Sequence, residues 1–250
     1  MNYTKFLIVG EERTGSTFLQ MLLASNPSVL SLGELFNPVE EIRQRGYPTG
    51  KVITEKEDPI EYLETSVFQK HSEDLKAVGF RLFYTQARDD IWKTVWDYIR
   101  ESDIRIIHLK RRNLLDRYLS HQFAEKSDDW AFFEKGSRQK IYPITLNAFD
   151  CAKSFHQSEF WQKQTDEFFQ DNCKTTLFYE DLCKYPKDET KKLQEFLSLE
   201  PQDLTTITKK QRTEKKSEVI TNFDDLKRQF IRGACEGWIR REWLDFFEKA

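Results

Sequence analysis

The chain has 250 residues, enough for one α/β domain with a substantial core and too many for a small scaffold held by disulfides or a metal. Its 39 basic and 42 acidic residues leave a formal net charge of −3, which argues against a broad nucleic-acid-binding face. Aromatic residues at 14% point to an aromatic-rich core, while a mean hydropathy of −0.70 and the lack of any apolar run of spanning length argue against an integral membrane segment.

Lys5 to Gly10 is a short apolar run of the buried parallel-strand type, and Phe18, Leu19, Leu22 and Leu23 then recur at helical spacing. This strand–loop–helix order opens a βαβ unit. Val29 to Leu32 reads as a second strand ending at Gly33-Glu34. Residues 37–75 are charged and hold three prolines, so irregular structure with a helix or two near 59–71 is expected. Ala77 to Tyr84 is the next strand, and Ile91 to Glu101 is amphipathic through Ile91, Val95, Trp96 and Ile99. Ile104 to Leu109 is a strand that runs into Arg111-Arg112-Asn113, with Asn113 placed to cap the helix that follows. Residues 124–140 are polar, Asn147 to Gln170 suits a long helix, and Thr175 to Tyr179 suits a strand. Lys191 to Leu197 reads as helix, 200–221 as a basic loop, and Phe223 onward as amphipathic helix. The alternation predicts a single α/β domain over 1–250, a mostly parallel sheet with helices on both faces.

The four cysteines at 151, 173, 183 and 235 form no CxxC pair and accompany no zinc-ligand pattern, so reduced thiols and no metal are expected. Phe6 to Val9 is too short for a signal core, and a cytoplasmic protein is the expectation.

Gly10-Glu11-Glu12-Arg13-Thr14-Gly15-Ser16-Thr17 has the spacing G-x-x-x-x-G-x-[ST] between a strand and a helix. Glycines allow the tight turn that lets backbone amides converge on phosphate oxygens at a helix N-terminus. A bare match would equally suit a glycine turn that only joins two elements; the flanking strand and helix favour the phosphate loop. Nucleotide hydrolases carry a lysine where this chain has Ser16. Arg13 can supply the missing charge, with a fork suited to phosphate.

Arg13-Thr14-Gly15-Ser16-Thr17 resembles the R-[ST]-G-[ST]-[ST] loop of sulfotransferases that use 3′-phosphoadenosine-5′-phosphosulfate (PAPS). The resemblance implies a P-loop-type fold, no metal, and these five residues on the 5′-phosphosulfate end of the donor. Arg112 and Ser120 match that family's 3′-phosphate pattern R-x7-S, with Arg111 a competitor one position earlier. On a helix starting at Asn113, Ser120 would lie about 10 Å along the axis, where an arginine arm and a hydroxyl can share one anion. Phe178 to Leu182 with Pro186 resembles the family's YEDL segment, an architectural element. Lys209 to Arg212 with Val219 to Phe223 is similar to the donor-closing loop of bacterial nodulation- and trehalose-type enzymes. By that similarity Lys210 and Arg212 are assigned to the 3′-phosphate or adenine, although a charge run also suits a solvated face.

An acceptor hydroxyl must lose its proton as it attacks sulfur. Glu34, just past the C-terminal end of the second strand, stands where open α/β sheets bind ligands. The resemblance implies a carboxylate base in this Gly-Glu-x-Phe context, against a surface glutamate that caps a helix or pairs with Arg43 or Arg45. Cytosolic members use histidine instead, which keeps His71, His108, His121 and His156 as rivals; His108, inside a strand, reads as packed. Arg13 would stabilise the leaving group, and Arg81 stands at the sheet edge or near acceptor.

The expected activity is sulfuryl transfer from PAPS to a hydroxyl of a carbohydrate or glycolipid, a small-molecule or glycan acceptor. Segments 37–75 and 124–170 would set acceptor choice. A P-loop kinase or NTPase is the alternative, with Thr175 to Asp181 as a Walker-B-like strand, and the absent lysine counts against it. An inactive binding module is the other alternative. Related bacterial enzymes can form homodimers, which this sequence leaves open.

Overall fold

The computed structural model describes residues 2–127, 142–206 and 215–248. In chain order the elements are β1 (Thr4–Gly10), α1 (Ser16–Ala24), β2 (Val29–Glu34), α2 (Glu40–Gly46), α3 (Pro59–Tyr62), a π-helical turn (Leu63–Val67), β3 (Ala77–Phe83), α4 (Thr94–Glu101), β4 (Ile104–Lys110) and α5 (Leu114–Ser127). There follow α6 (Ala148–Phe168), β5 (Lys174–Phe178), α7 (Tyr179–Lys184), α8 (Pro186–Phe196), α9 (Lys216–Val219), α10 (Phe223–Glu236), a 3-10 turn (Arg241–Leu244) and α11 (Asp245–Glu248). Two compact units result: 1–110 with 162–206, and 111–161 with 207–250.

The first unit holds a five-stranded sheet in the order β2-β3-β1-β4-β5, and every pairing is parallel. Central strands must bury both faces, and all seven residues of β3 do. Edge strand β5, with Thr175 and Thr176, buries only Leu177. One face of the sheet, through Phe6, Ile8, Ile107 and Leu109, packs on Leu19, Leu22 and Leu23 of α1 and Leu193 of α8. On the other, Phe80 meets Phe36 and Phe68 edge-on or tilted, and Phe36 also meets Tyr62 and Trp92. Each such fully buried side chain contributes about 1.5–3 kcal/mol of transfer free energy. The result is a P-loop-type α/β fold with helices on both faces. Because β1 has β3 on one side and β4 on the other, the connections diverge at its C-terminal end, where such sheets open a ligand crevice.

The second unit has its own core, with Leu115, Leu119 and Phe123 of α5, Phe155 of α6, Phe230 of α10 and Trp243. Three local expectations change. The helix expected from Ile91 begins at Thr94, because Asp89 Oδ1 accepts from Trp92 N at 3.0 Å and closes a turn there. The loop expected over 200–221 contains α9 and a bridge from Ile144 to Ile220, where Val219 and Ile220 bury. The helix from Phe223 stops at Glu236, since Trp238 N and Ile239 N both fold back onto Gly233 O. No helix among the described residues is long and apolar enough to cross a membrane.

Candidate active site

The loop between β1 and α1 has the backbone its sequence demands. Gly15, at φ 87°, caps α1 in the left-handed region, and a Cβ there would stand 2.3 Å from Tyr179 Cδ2. Arg13 is also left-handed, at φ 67°, a conformation that costs a non-glycine residue about 1–2 kcal/mol. Thr14 is buried and its hydroxyl donates to Glu11 O at 2.6 Å, so that side chain braces the loop. No side chain caps α1 and no acid lies in its first turn, which leaves the positive end of the helix suited to an anion.

Arg81 joins this loop to the end of β2. Its Nη1 donates to Thr17 Oγ1 at 2.6 Å and to Ser16 Oγ at 3.3 Å, while Nη2 donates to Glu34 Oε1 at 3.0 Å. Both charged side chains are close to buried, 9% exposed for Arg81 and 12% for Glu34. Burial lowers the Arg81 pKa and the Glu34 carboxylate opposes that shift. Glu34 Oε2 accepts two more bonds, from Asn37 Nδ2 and from Gln86 Nε2, each at 2.7 Å. The carboxylate is therefore fixed by three donors from three elements of chain. It pairs with Arg81 rather than with Arg43 or Arg45, and Arg43 donates instead to Asn37 O and Pro38 O.

A register shift places Glu34. Ser31 lies opposite Gly79, yet Glu34 lies opposite Arg81, so β2 carries one extra residue between those pairs. A bulge of this kind re-aims the side chains that follow it. Without it, Gly33 would face Arg81. The backbone of Gly33 is in turn pressed on Gly46 at the end of α2.

Of the four histidines, His108 is fully buried, with Nε2 2.6 Å from Tyr84 OH and Nδ1 2.9 Å from Asp166 Oδ1. Burial lowers its pKa, while the Asp166 hydrogen bond opposes the shift. Burial would raise Asp166, but hydrogen bonds from His108 and Lys110 hold it below the usual carboxylate range. Burial likewise pushes the Tyr84 hydroxyl well up, aided by the charges of Glu11 and Asp166. His108 is thus a packed residue, as its place in a strand implied. His71 bonds Val67 O at 2.9 Å, His156 lies edge-on to Trp243, and His121 lies 3.5 Å from Glu125.

Arg111 and Arg112 directly follow β4, and Ser120 stands on α5; all three belong to the second unit. Arg111 and Ser120 are half-buried and Arg112 is exposed. Asn113 caps the helix as expected, with Oδ1 accepting from Asp116 N at 3.0 Å. Lys210 and Arg212 lie outside the described residues. Asn37 and Gln86 were not singled out from sequence: short-range patterns carry no sign that two amides, one beyond β2 and one beyond β3, meet a single carboxylate.

A parallel α/β sheet, a lysine-free glycine loop of P-loop spacing after its central strand and a caged carboxylate beside that loop define a P-loop-type fold. The chain belongs to the sulfotransferase-domain family, whose family model, "Sulfotransferase domain", matches residues 3–245. It is a sulfotransferase. Nodulation protein H of Rhizobium meliloti is 24% identical over 235 residues, covering 91% of this chain and 92% of that protein. Nodulation protein H of Rhizobium tropici is 23% identical over 232 residues, covering 91% and 90%. The crystal structure of a sulfotransferase from Alicyclobacillus acidocaldarius aligns with a TM-score of 0.49 at 13% identity, over 100% of this chain and 98% of that one.

Proposed function

We propose that the chain transfers a sulfuryl group from PAPS to a hydroxyl of a carbohydrate or glycolipid by in-line displacement, with Glu34 as the base. The observation that carries this reading is the hydrogen-bonded path from Ser16 and Thr17 through Arg81 to Glu34. It sets a proton acceptor beside the hydroxyls of the phosphate loop, the two functions that the reaction requires together.

The donor's chemistry fits the residues present. Its phosphosulfate end needs amides, hydroxyls and cationic forks, which the α1 N-terminus, Ser16, Thr17 and Arg13 offer without a lysine. The 3′-phosphate is assigned to Arg111 or Arg112 with Ser120, and Lys210 and Arg212 to the 3′-phosphate or adenine, on the sequence resemblance. The acceptor hydroxyl gives its proton to Glu34 as its oxygen attacks sulfur, and the bridging S–O pair stays on the 5′-phosphate. Loop amides, the two hydroxyls and Arg13 meet the charge that develops there. The sequence resemblance to bacterial carbohydrate-acting enzymes supports a saccharide acceptor.

Calorimetry with adenosine 3′,5′-bisphosphate in EDTA, followed by transfer of label from 35S-PAPS to a panel of glycans, glycolipids and phenols, tests the proposal. Binding of the bisphosphate and labelling of a glycan are expected. In a parallel titration with Mg²⁺ and no EDTA, tight binding of ATP, with none of the bisphosphate, would count against PAPS as the donor.

A further inference from the structure

The bonds around Glu34 leave its two oxygens unequal. A carboxylate oxygen has two lone pairs. Oε2 spends both, on Asn37 and Gln86, whereas Oε1 accepts one bond, from Arg81. A proton arriving at this carboxylate therefore finds room on Oε1, the oxygen that holds the guanidinium.

The other end of Arg81 is equally constrained. An arginine only donates, so the Thr17 hydroxyl must accept from Nη1, and its own hydrogen is turned toward some other acceptor. The same geometry orients Ser16 at a longer distance. Arg81 Nε–H is also buried and donates to nothing among the described residues, so the fork holds a donor in reserve.

Resting on the reading above, we propose that Arg81 is a positioning residue that holds Glu34 Oε1 and the Thr17 and Ser16 hydroxyls together, and whose grip loosens on Oε1 and tightens on the hydroxyls as that oxygen takes the acceptor's proton. The acceptor O–H bond breaks and its proton goes to Oε1. The oxygen's pair forms the new O–S bond. The bridging S–O bond breaks, and its pair remains on the 5′-phosphate. Once Oε1 carries a proton, the carboxyl is neutral, so its bond to Arg81 ceases to be an ion pair and weakens. The guanidinium, which stays charged, then serves the loop hydroxyls just as negative charge appears on the leaving oxygen. Proton capture at one end of the reaction and stabilisation of the leaving group at the other are linked through one side chain.

Glu34→Gln imitates the protonated carboxyl, so the test is the affinity for adenosine 3′,5′-bisphosphate, a binding readout that needs no turnover. Glu34→Gln should bind it about five-fold or more tightly than wild type, the usual lower range for coupling between sites. That gain should vanish in an Arg81→Met background. Removal of a nearby negative charge would by itself also help an anion, but such a gain persists without Arg81, and its persistence overturns the proposal. Should Arg81→Met fail to fold around an unpaired Glu34, the neutral pair E34Q/R81M decides. Bisphosphate affinity equal to that of Glu34→Gln alone overturns the proposal, and a clear loss supports it. Failure of the wild type to bind the bisphosphate would sink the donor assignment and this inference together, a result distinct from binding that does not respond to Glu34.

Discussion

Gly33 and Gly46 touch backbone to backbone: a Cβ on Gly33 would stand 2.6 Å from Gly46 Cα, and one on Gly46 would stand 2.9 Å from Glu34 N. Neither obstacle is a side chain that can swing away. Gly46→Ala must push α2 from the end of β2, or drag Glu34 with it. The expected outcome is a loss of about 1–3 kcal/mol in urea denaturation, typical of overpacking. Turnover should fall on the order of 10–100-fold through misplacement of the carboxylate. Unaltered turnover in a folded Gly46→Ala protein would show that α2 alone gives way and that its packing on β2 does not hold Glu34 in place.

Gly15 is constrained twice, by its left-handed backbone and by the Tyr179 ring. Gly15→Ala is expected to weaken bisphosphate binding by on the order of 10-fold or more, because the loop amides lose their shared direction. Tyr179→Ala added to it removes the ring but leaves the backbone cost of about 1–2 kcal/mol. Partial recovery in the double variant, measured by calorimetry, is the expected pattern. Full recovery would mean that the left-handed turn is dispensable and the ring alone explains the glycine.

Much of this arrangement is legible in the chain. Lys5 to Gly10 and Ile104 to Leu109 are short, mostly apolar runs of the buried-strand type, and both are central strands. The loop announces itself because its chemistry is local: glycine spacing, an arginine and two hydroxyls within eight residues. Asn113 is local in the same way, a cap whose acceptor lies three residues from its donor. The cage around Glu34 is not. Asn37 reaches it from three residues on, but Arg81 and Gln86 reach it from 47 and 52 residues away, against a strand whose register a bulge has shifted. An apolar-polar pattern specifies which face a residue takes, and a bulge changes that face without changing the pattern. The helix α9 is illegible for another reason, since four residues at the end of a basic stretch are too few to show a period.

The amides of Asn37 and Gln86 work by donating to Glu34 Oε2, and each also accepts a backbone N–H, from Val39 at 2.9 Å and from Phe83 at 3.0 Å. Asn37→Asp and Gln86→Glu keep the acceptor and remove the donor, at nearly constant volume. Each places a second carboxylate against the first, where like charges at close range repel strongly. Turnover should fall on the order of 10–100-fold while circular dichroism stays that of the wild type. Wild-type turnover in both variants would mean that Oε2 needs no fixed partners, and the unequal roles of the two oxygens would fall with it.

His108 offers a pH test that does not depend on catalysis. It is enclosed by Tyr84, Asp166, Lys110 and Lys174, the last 3.3 Å from Asp166 Oδ1. Burial puts its folded pKa below the free value, so between the two the unfolded chain binds a proton that the folded chain refuses. Stability from this group is complete above about pH 6.5 and is lost as pH falls, with a slope of up to about 1.4 kcal/mol per pH unit. Asp166, whose folded pKa is also depressed, adds a second loss only below about pH 4, where its unfolded form takes up a proton. His108→Gln keeps a hydrogen-bonding side chain and removes the titration. It should be less stable than wild type at pH 8, yet lose less between pH 6.5 and pH 5 in urea titrations. Parallel curves for the two proteins across that interval would show that His108 enters its site protonated, with Asp166 outweighing burial.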